Sequence, residues 1–377
     1  YKILLVELVA MRRRFVIGFL VFAVGSLSLY VALGQDFFPE IRSNSLQLHM
    51  RAPIGTRLTE AGKISVMIEK KIRQALPGQV EGVLQNCGLP FSQMNQAFIP
   101  SPTVGTEDCD ITVTLRNEES PTAEYRRMLR KILIDTFPGT QITFQPADLT
   151  AKILNFGLPS PIDVQVVGRD LYGNFAFATK MARAMRALPG VTDVAVQEPM
   201  TMPTLAVNTR RSFALGTGIT ERDVAQNALT VLSGSAQVGQ VYYLNHQGVS
   251  QLIDVQTPAE YLQTLDSLKT VPIDRGDGNP TNAPPQLLSA LSDIQLTGTP
   301  AEVAHYNIMP VFDIYASNED ADLGMVARQV QRVADSMKGE LPKGSRLVIR
   351  GQGVTMTDAY TQLIVGLAMS IVLGFTA

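Results

Sequence analysis

A short phrase occurs four times in this chain, and each copy joins a helix pattern to a strand pattern. The copies are "ALPGQVEGV" (75–83), "TFPGTQITF" (136–144), "ALPGVTDVAVQ" (187–197) and the slightly longer "ELPKGSRLVI" (340–349). Proline ends a helix, glycine accepts the left-handed turn after it, and the alternating apolar residues that follow are typical of a strand. The phrase therefore predicts four helix–turn–strand segments.

A strand pattern also precedes each of the four helices. These patterns are "SLQLHMRAP" (45–53), "CDITVTLRN" (109–117), "IDVQVVG" (162–168) and "VFDIYAS" (311–317). Two strand–helix–strand units side by side form a split β-α-β sandwich with its helices on one face of the sheet. Pro77 and Pro138 are much closer in sequence than Pro189 and Pro342. The units therefore pair in chain order, and the second pair is predicted to hold a strand-rich insert.

An apolar run near the start predicts a membrane span. Phe15–Gly34 carries no charged residue, and a helix of about 20 residues crosses the roughly 30 Å hydrocarbon layer of a bilayer. A buried core helix is the alternative. Arginines at 12–14 precede the run, so by the positive-inside rule residues 1–14 are cytoplasmic and the chain beyond is exported. A second apolar stretch near the end predicts the start of another span at 361–377.

Composition and motifs argue against several other functions. The net charge is −2, so nothing points to nucleic-acid binding. His49, His246 and His305 have no Asp, Glu or Cys at ligand spacing, and most methionines lie on predicted helix stripes, as in an ordinary core. No phosphate-binding loop and no nucleophile motif is present. We therefore expect no cofactor, no resident metal and no catalytic site, and a membrane-tethered enzyme is disfavoured.

Several phrases together resemble the resistance–nodulation–division (RND) transporters, the inner-membrane pumps of tripartite efflux systems. In chain order they are "GQDFFPEI" (34–41), "APIGT" (52–56), "SPIDVQVVGRD" (160–170), "LPGVTDV" (188–194), "LTVLSGS" (229–235) and "HYNIMPV" (305–311). Each phrase is weak alone, but together they cover nearly the whole chain. The resemblance is to the C-terminal half of such a pump.

The resemblance implies a membrane-anchored α+β fold. A transmembrane helix at 15–34 would be followed by two split β-α-β (ferredoxin-like) periplasmic porter subdomains, the second interrupted by a small β-rich docking insert. The implied bounds are 35–159 for the first (PC1-like), 160–223 with 307–352 for the second (PC2-like), and 224–306 for the insert.

The resemblance also implies a function. Such pumps are homotrimers of the bacterial inner membrane that exchange protons for amphiphilic small molecules and expel them through a periplasmic adaptor and an outer-membrane channel. The family's proton-carrying Asp and Lys lie in spans outside this chain. Metal-ion or lipid export by the same family, or a non-transporting periplasmic scaffold, remains the alternative.

A long segment between two strands, 87–110, matches the family's switch loop, which borders the substrate pocket. By position, the implied pocket and loop residues are Leu84, Gly88, Leu89, Phe91, Met94, Phe98 and Thr112. Ile162, Val164 and Val166 would line the entrance cleft between the subdomains. The alternative for these three residues, and for Leu84, is ordinary strand core.

Cys87 and Cys109 are the two cysteines of the chain and bracket this segment. An exported location is oxidising and permits a disulfide, and positions at the base of a hairpin satisfy the required spacing of about 5.5 Å between Cα atoms. The alternative is a pair of small buried thiols in neighbouring strands.

Overall fold

The computed structural model describes residues 11–32, 34, 36, 44–89, 103–117, 120–147, 149–155, 157–275 and 284–376. The chain forms two compact units, one of Tyr1–Met202 with Pro300–Ala377 and the other of Pro203–Thr299. Three predicted site residues, Phe91, Met94 and Phe98, lie outside the described residues.

An apolar helix and a four-stranded sheet with two helices open the larger unit. The elements are α1 (Arg12–Ala32), β1 (Ser45–Arg51), α2 (Leu58–Ala75), β2 (Val80–Cys87), β3 (Asp108–Leu115), α3 (Thr122–Thr136), β4 (Gln141–Gln145) and the short α4 (Leu149–Leu154). The antiparallel sheet has the order β2-β3-β1-β4. We call residues 45–145 the first sandwich.

The core of the first sandwich lies between one face of its sheet and the two helices. Apolar residues recur every three or four positions along α2 and α3 and every second position along the strands, so both element types present one apolar face. The largest fully buried side chains there are Leu48, Met50, Ile68, Ile72, Ile111, Leu115, Leu129 and Leu133. No helix of the described residues packs on the other face of the sheet, and we call this face, and its counterpart on the second sheet, the helix-free face.

A second sheet begins before the smaller unit and ends after it. Its first elements are β5 (Ile162–Val167), α5 (Leu171–Arg186) and β6 (Val191–Val196). The chain then enters the smaller unit, which contains β7 (Met202–Thr209), α6 (Arg211–Gly216), α7 (Glu221–Ser233), β8 (Val241–Leu244), β9 (Ser250–Ile253), α8 (Leu265–Lys269), β10 (Pro272–Ile273), β11 (Gln286–Leu287), α9 (Leu288–Leu291) and β12 (Ser292–Thr299).

The smaller unit starts earlier than the insert placed at 224–306. Strand β7 pairs with β12, and this ladder joins the two ends of the segment, so the compact unit is Pro203–Thr299. A small core of its own holds it together, formed by Ala214, Ile219, Val224, Leu268, Val271, Ile273, Leu288 and Leu291.

The larger unit is completed by β13 (Ala304–Tyr306), β14 (Met309–Asn318), α10 (Leu323–Met337), β15 (Arg346–Gly351) and α11 (Gln352–Thr376). The second sheet runs β14-β5-β15, all antiparallel, and β13 and β6 both pair with the remaining edge of β14. Helices α5 and α10 cover one face, so this second sandwich repeats the plan of the first.

Two apolar helices flank the sandwiches. In α1, Phe15, Phe19 and Phe22 are each more than half exposed, which contradicts a buried core helix. Among the described residues, Gln352–Gly374 is long and apolar enough to cross a membrane by length and composition. This segment begins before the predicted position 361 because β15 continues directly into α11, and the Gln352 N–H donates to the Pro161 carbonyl at 2.9 Å.

Candidate functional site

A cleft lies between the two sandwiches of the larger unit, and we call it the inter-sheet cleft. The cleft is narrow: the space within it is about 20 Å³, which is room for roughly one water molecule. Side chains of the helix-free faces form most of both walls. The first sandwich contributes His49, Arg51, Gln141, Thr143, Phe144 and Gln145, and the rest of the lining is Pro159, Ser160, Asp193, Ala195, Gln197, Tyr315 and Ser317.

The charged groups on the first wall are paired with one another. The Arg51 Nε donates to Asp108 Oδ1 at 2.7 Å and Nη2 to Oδ2 at 3.2 Å, and His49 Nδ1 lies 2.8 Å from Asp110 Oδ1. Burial opposes the charged form of Asp108, but His49 and Arg51 outweigh it and lower the pKa of this carboxyl to about 2. Burial lowers the pKa of His49, yet its interactions with the Asp108 and Asp110 carboxylates raise it above its ordinary value overall.

The ends of the predicted switch loop are held to this wall. Asp108 Oδ2 accepts the Val104 N–H at 2.7 Å, and the Gly88 N–H donates to the Asp108 carbonyl at 2.9 Å. Cys87 and Cys109 face each other across the β2–β3 ladder and form a disulfide, with their Cα atoms 4.0 Å apart. The two strand ends that bracket the loop are therefore covalently joined.

The predicted pocket residues that the structure describes have different surroundings. Leu84 is 70% exposed on the helix-free face, opposite Thr112 in the ladder, so the strand-core alternative is wrong for Leu84. Leu89 is also largely exposed. Gly88 has φ +82°, and a Cβ there would lie 2.9 Å from Leu58 Cδ1, so this turn needs glycine.

The structure corrects the sequence analysis for Ile162, Val164 and Val166. These side chains are 0–2% exposed and lie in the core beneath α5 and α10, and they are not among the cleft-lining residues. Successive residues of a strand point to opposite faces. Asp163 and Gln165, between them on β5, therefore occupy the helix-free face instead.

A group of buried carboxyls on the helix-free face of the second sheet was missed by the sequence analysis. Gln165 Nε2 donates to Asp313 Oδ1 at 2.9 Å, and the Asp313 N–H donates to Glu198 Oε2 at 2.9 Å. Asp163 is completely buried, and neither of its oxygens has a well-formed hydrogen bond within the described part of the chain. The sequence does carry a signal for this polar face, because Asp163 and Gln165 occupy alternate positions of "IDVQVV".

These carboxyls differ from Asp108 in how readily they lose a proton. Burial raises the pKa of Asp163 well above its ordinary value, and the nearby charge of Asp313 raises it further. Burial and the charge of Asp313 likewise raise the pKa of Glu198. A charge taken out of water without a partner is costly, so the group keeps its proton instead.

The free hydrogen-bonding groups of the inter-sheet cleft are uncharged. Gln141, Thr143 and Gln145 line one wall, and we find no side-chain partner for any of them among the described residues, whereas His49, Arg51 and Asp193 are in ion pairs. Over the same residues, no three His, Cys, Asp or Glu side chains are grouped so that they could hold a metal ion. The walls thus present apolar area with uncharged amide and hydroxyl groups to the cleft.

Comparison with known proteins places this geometry in a family. The model of the AcrB/AcrD/AcrF family matches residues 1–377. Protein HelA of Legionella pneumophila is 23% identical over 352 residues, covering 90% of this chain and 32% of its own length. The cobalt-zinc-cadmium resistance protein CzcA of Cupriavidus metallidurans is 23% identical over 367 residues, covering 94% and 33%. The cation efflux system protein CusA of Escherichia coli K12 is 23% identical over 350 residues, covering 91% and 31%.

A solved structure also has this fold. An X-ray structure of a heavy metal efflux pump superposes with a TM-score of 0.76 at 21% identity, over 96% of this chain and 36% of that one. The chain spans about a third of the length of the curated relatives, 32% of HelA and 33% of CzcA.

Proposed function

The chain belongs to the AcrB/AcrD/AcrF family of RND transporters, and from this premise we propose that it forms the substrate-handling part of an efflux transporter. Further proposals follow from family membership. The chain would belong to the C-terminal half of a pump in the bacterial inner membrane, with the sandwiches in the periplasm. The pump would be a proton-driven homotrimer that works with a periplasmic adaptor and an outer-membrane channel. The activity is that of a transporter, without a catalytic step.

The observation that carries the proposal is the inter-sheet cleft between two sandwiches of the same plan. A cavity bounded by two separately packed bodies changes volume when the bodies rotate apart and back, as in hinge and shear motions. Apolar wall area binds many amphiphiles at about 25 cal/mol per Å² buried. Closing the cleft then releases the bound molecule.

Residues implied by the switch-loop resemblance belong to this proposal. Leu84, Thr112 and Leu89 would form the described part of a deeper pocket, Gly88 would supply the turn that leads into the loop, and Phe91, Met94 and Phe98 would complete it. We also propose that each sandwich is a ferredoxin-like porter subdomain, within 35–159 and within 160–223 with 307–352. The insert, placed at 224–306 from sequence and centred on Pro203–Thr299 in the structure, would be the docking module.

Amphiphilic molecules are the substrate class that the cleft favours, because its charges are internally paired and its free groups are neutral. Metal ions are the second candidate, favoured by the metal resistance and cation efflux for which CzcA and CusA are named. A metal ion needs several convergent anionic or soft donors, and the described residues hold no group of three His, Cys, Asp or Glu side chains placed to bind one.

Susceptibility of an efflux-deficient host separates the two candidates. Cells expressing the full-length gene are challenged with amphiphilic drugs and with zinc, cobalt, cadmium and copper salts. We expect resistance to drugs, reduced by Gln145→Arg, which places a desolvated charge in the neutral wall, and by Phe91→Ala. The control Gln331→Arg on the exposed face of α10 should behave as wild type. Resistance confined to metal salts would establish the second candidate.

A further inference from the structure

Three arginines on one helix of the first sandwich meet three acidic residues of the second. We call this set the arginine clamp. Its members are Arg126, Arg127 and Arg130 on α3, Asp193 in β6, and Glu319 and Asp320 after β14.

Arg130 is the centre of the clamp. It donates through Nη2 to Asp193 and through Nη1 to Glu319, and these three side chains are 13%, 5% and 11% exposed. Its guanidinium also lies 5.0 Å from the centre of the Phe144 ring, and Arg126 lies 3.6 Å from Glu319. A nearly buried arginine with two carboxylates, stacked on an aromatic ring, is held in one geometry.

The acidic side of the clamp is built into unusual backbone. Asp193 has φ +53° and lies where the β14–β6 register shifts, that is, in a β-bulge, and Asp320 has φ +58°. A bulge redirects a side chain away from the ordinary alternation. The Glu319 N–H donates to the Gly190 carbonyl at 3.0 Å, which ties the two acidic turns together. Residues in left-handed backbone persist only where their surroundings hold them.

The clamp lies at the rim of the inter-sheet cleft, since Asp193 is also one of its lining residues. A second link crosses the cleft nearby, where Arg51 Nη1 donates to the Val196 carbonyl at 3.2 Å. Moving the sandwiches apart must break the Arg130 hydrogen bonds, because donor and acceptors lie on different sandwiches. Water must then reach the Arg130 guanidinium and both carboxylates at the same time. Because a partial separation leaves these charges neither paired nor hydrated, the closed and open arrangements are two discrete states.

We propose that the arginine clamp holds the inter-sheet cleft closed and that its release is the step that admits a molecule to the cleft. The proposal rests on the proposed function in treating the cleft as the substrate site. The exposed pair Arg127–Asp320, 52% and 65% exposed, contributes little because water screens it. Most of the stabilisation of the closed cleft therefore comes from Arg130.

The test measures access to the cleft in the full-length transporter. Thr143→Cys on the cleft wall provides a reporter, because Cys87 and Cys109 are already paired. Labelling of position 143 by an impermeant maleimide is taken as the excess over the same protein with Thr143 intact. We expect Arg130→Ala to raise the labelling rate about tenfold or more, since breaking a buried pair shifts the closed–open equilibrium strongly. The matched control Arg127→Ala, on the same helix, should change the rate less than about twofold.

Three further variants keep the test decisive if Arg130→Ala is poorly folded. Asp193→Asn and Glu319→Gln retain shape and remove one charge each, so both should raise labelling, and Arg130→Lys should give an intermediate rate. Equal labelling of wild type and all these variants, at wild-type thermal stability, would overturn the clamp. Failure of the proposed function is seen separately, as unchanged drug susceptibility on deleting the gene, and leaves the labelling ratios as they are.

Discussion

The two sandwiches share a strand order and a helix arrangement but differ in the electrostatics of their helix-free faces. On the first sheet, Arg51 pairs directly with Asp108, and His49 Nδ1 contacts Asp110. On the second, Asp163, Asp313 and Glu198 are buried together, and burial raises the pKa of each. The shared fold determines the core faces, since both must pack against two helices, and leaves the chemistry of the opposite faces free.

The difference gives the two sandwiches opposite responses to pH. Asp108 has a folded-state pKa of about 2, so its stabilising contribution is present above its unfolded pKa of about 4 and is lost as pH falls through 2. Asp163 has a raised folded-state pKa. Its contribution is complete below the unfolded pKa and is lost as pH rises through the folded value.

The largest expected effect comes from removing the cation of the first sandwich. Arg51→Ala removes the guanidinium bound to buried Asp108 and leaves the His49 ring 3.7 Å away, so the free energy of unfolding should fall by about 3–5 kcal/mol. Denaturant unfolding of the purified protein measures this. As control, Arg73→Ala removes a partly exposed pair with Glu69 on α2 and should cost no more than about 0.5 kcal/mol. Equal losses would mean that the Arg51–Asp108 pair is hydrated in solution.

Reduction of the disulfide should affect only the first sandwich, since Cys87 and Cys109 are the chain's two cysteines and both lie there. Opening a loop of this size should destabilise the first sandwich by about 3 kcal/mol, seen as faster amide hydrogen exchange in β2 and β3 after reduction with a phosphine. A variant with Ser at both positions should be insensitive to the reductant. Two titratable thiols in denatured, unreduced protein would show that the bond is absent.

The smallest effect is a change in the pH profile. Asp163→Asn removes the proton-linked carboxyl, so between about pH 5 and pH 6 the variant should gain at most about 1.4 kcal/mol of stability relative to wild type. Thermal midpoints across this range measure the difference. Asp108→Asn is the contrasting variant. Its loss of unfolding free energy relative to wild type should become smaller only below about pH 4. Parallel profiles for Asp163→Asn and wild type would show that Asp163 is hydrated.

Local patterns predicted most of the elements, because helices and strands depend on residues close in sequence. The Pro-Gly phrase at 77–78 indicated the end of α2, and the one at 189–190 indicated the turn before β6. Boundaries set by distant pairing were less accurate. The insert begins at Pro203 because β7 pairs with β12, and these strands are far apart along the chain.

The candidate site was less predictable from sequence. A strand at 162–166 is expected whether Ile162, Val164 and Val166 line the cleft or lie in the core. Which face of the strand meets the helices depends on packing, and Asp163 proved to be on the cleft side. Arg130 was part of an ordinary charged helix face in the sequence. Its partners, Asp193 and Glu319, lie on the other sandwich and are brought to it only by the folded chain.

Local sequence was enough to predict the α+β plan, the repeated strand–helix units and the family, because periodicity, turn residues and phrase order are local properties of the chain. Only the tertiary structure decided which charges are neutralised, which carboxyls are buried without a direct ion pair among the described residues, and which residues join the two sandwiches. Those outcomes depend on distances between residues far apart in sequence, and Coulomb energies and desolvation costs follow distance and burial.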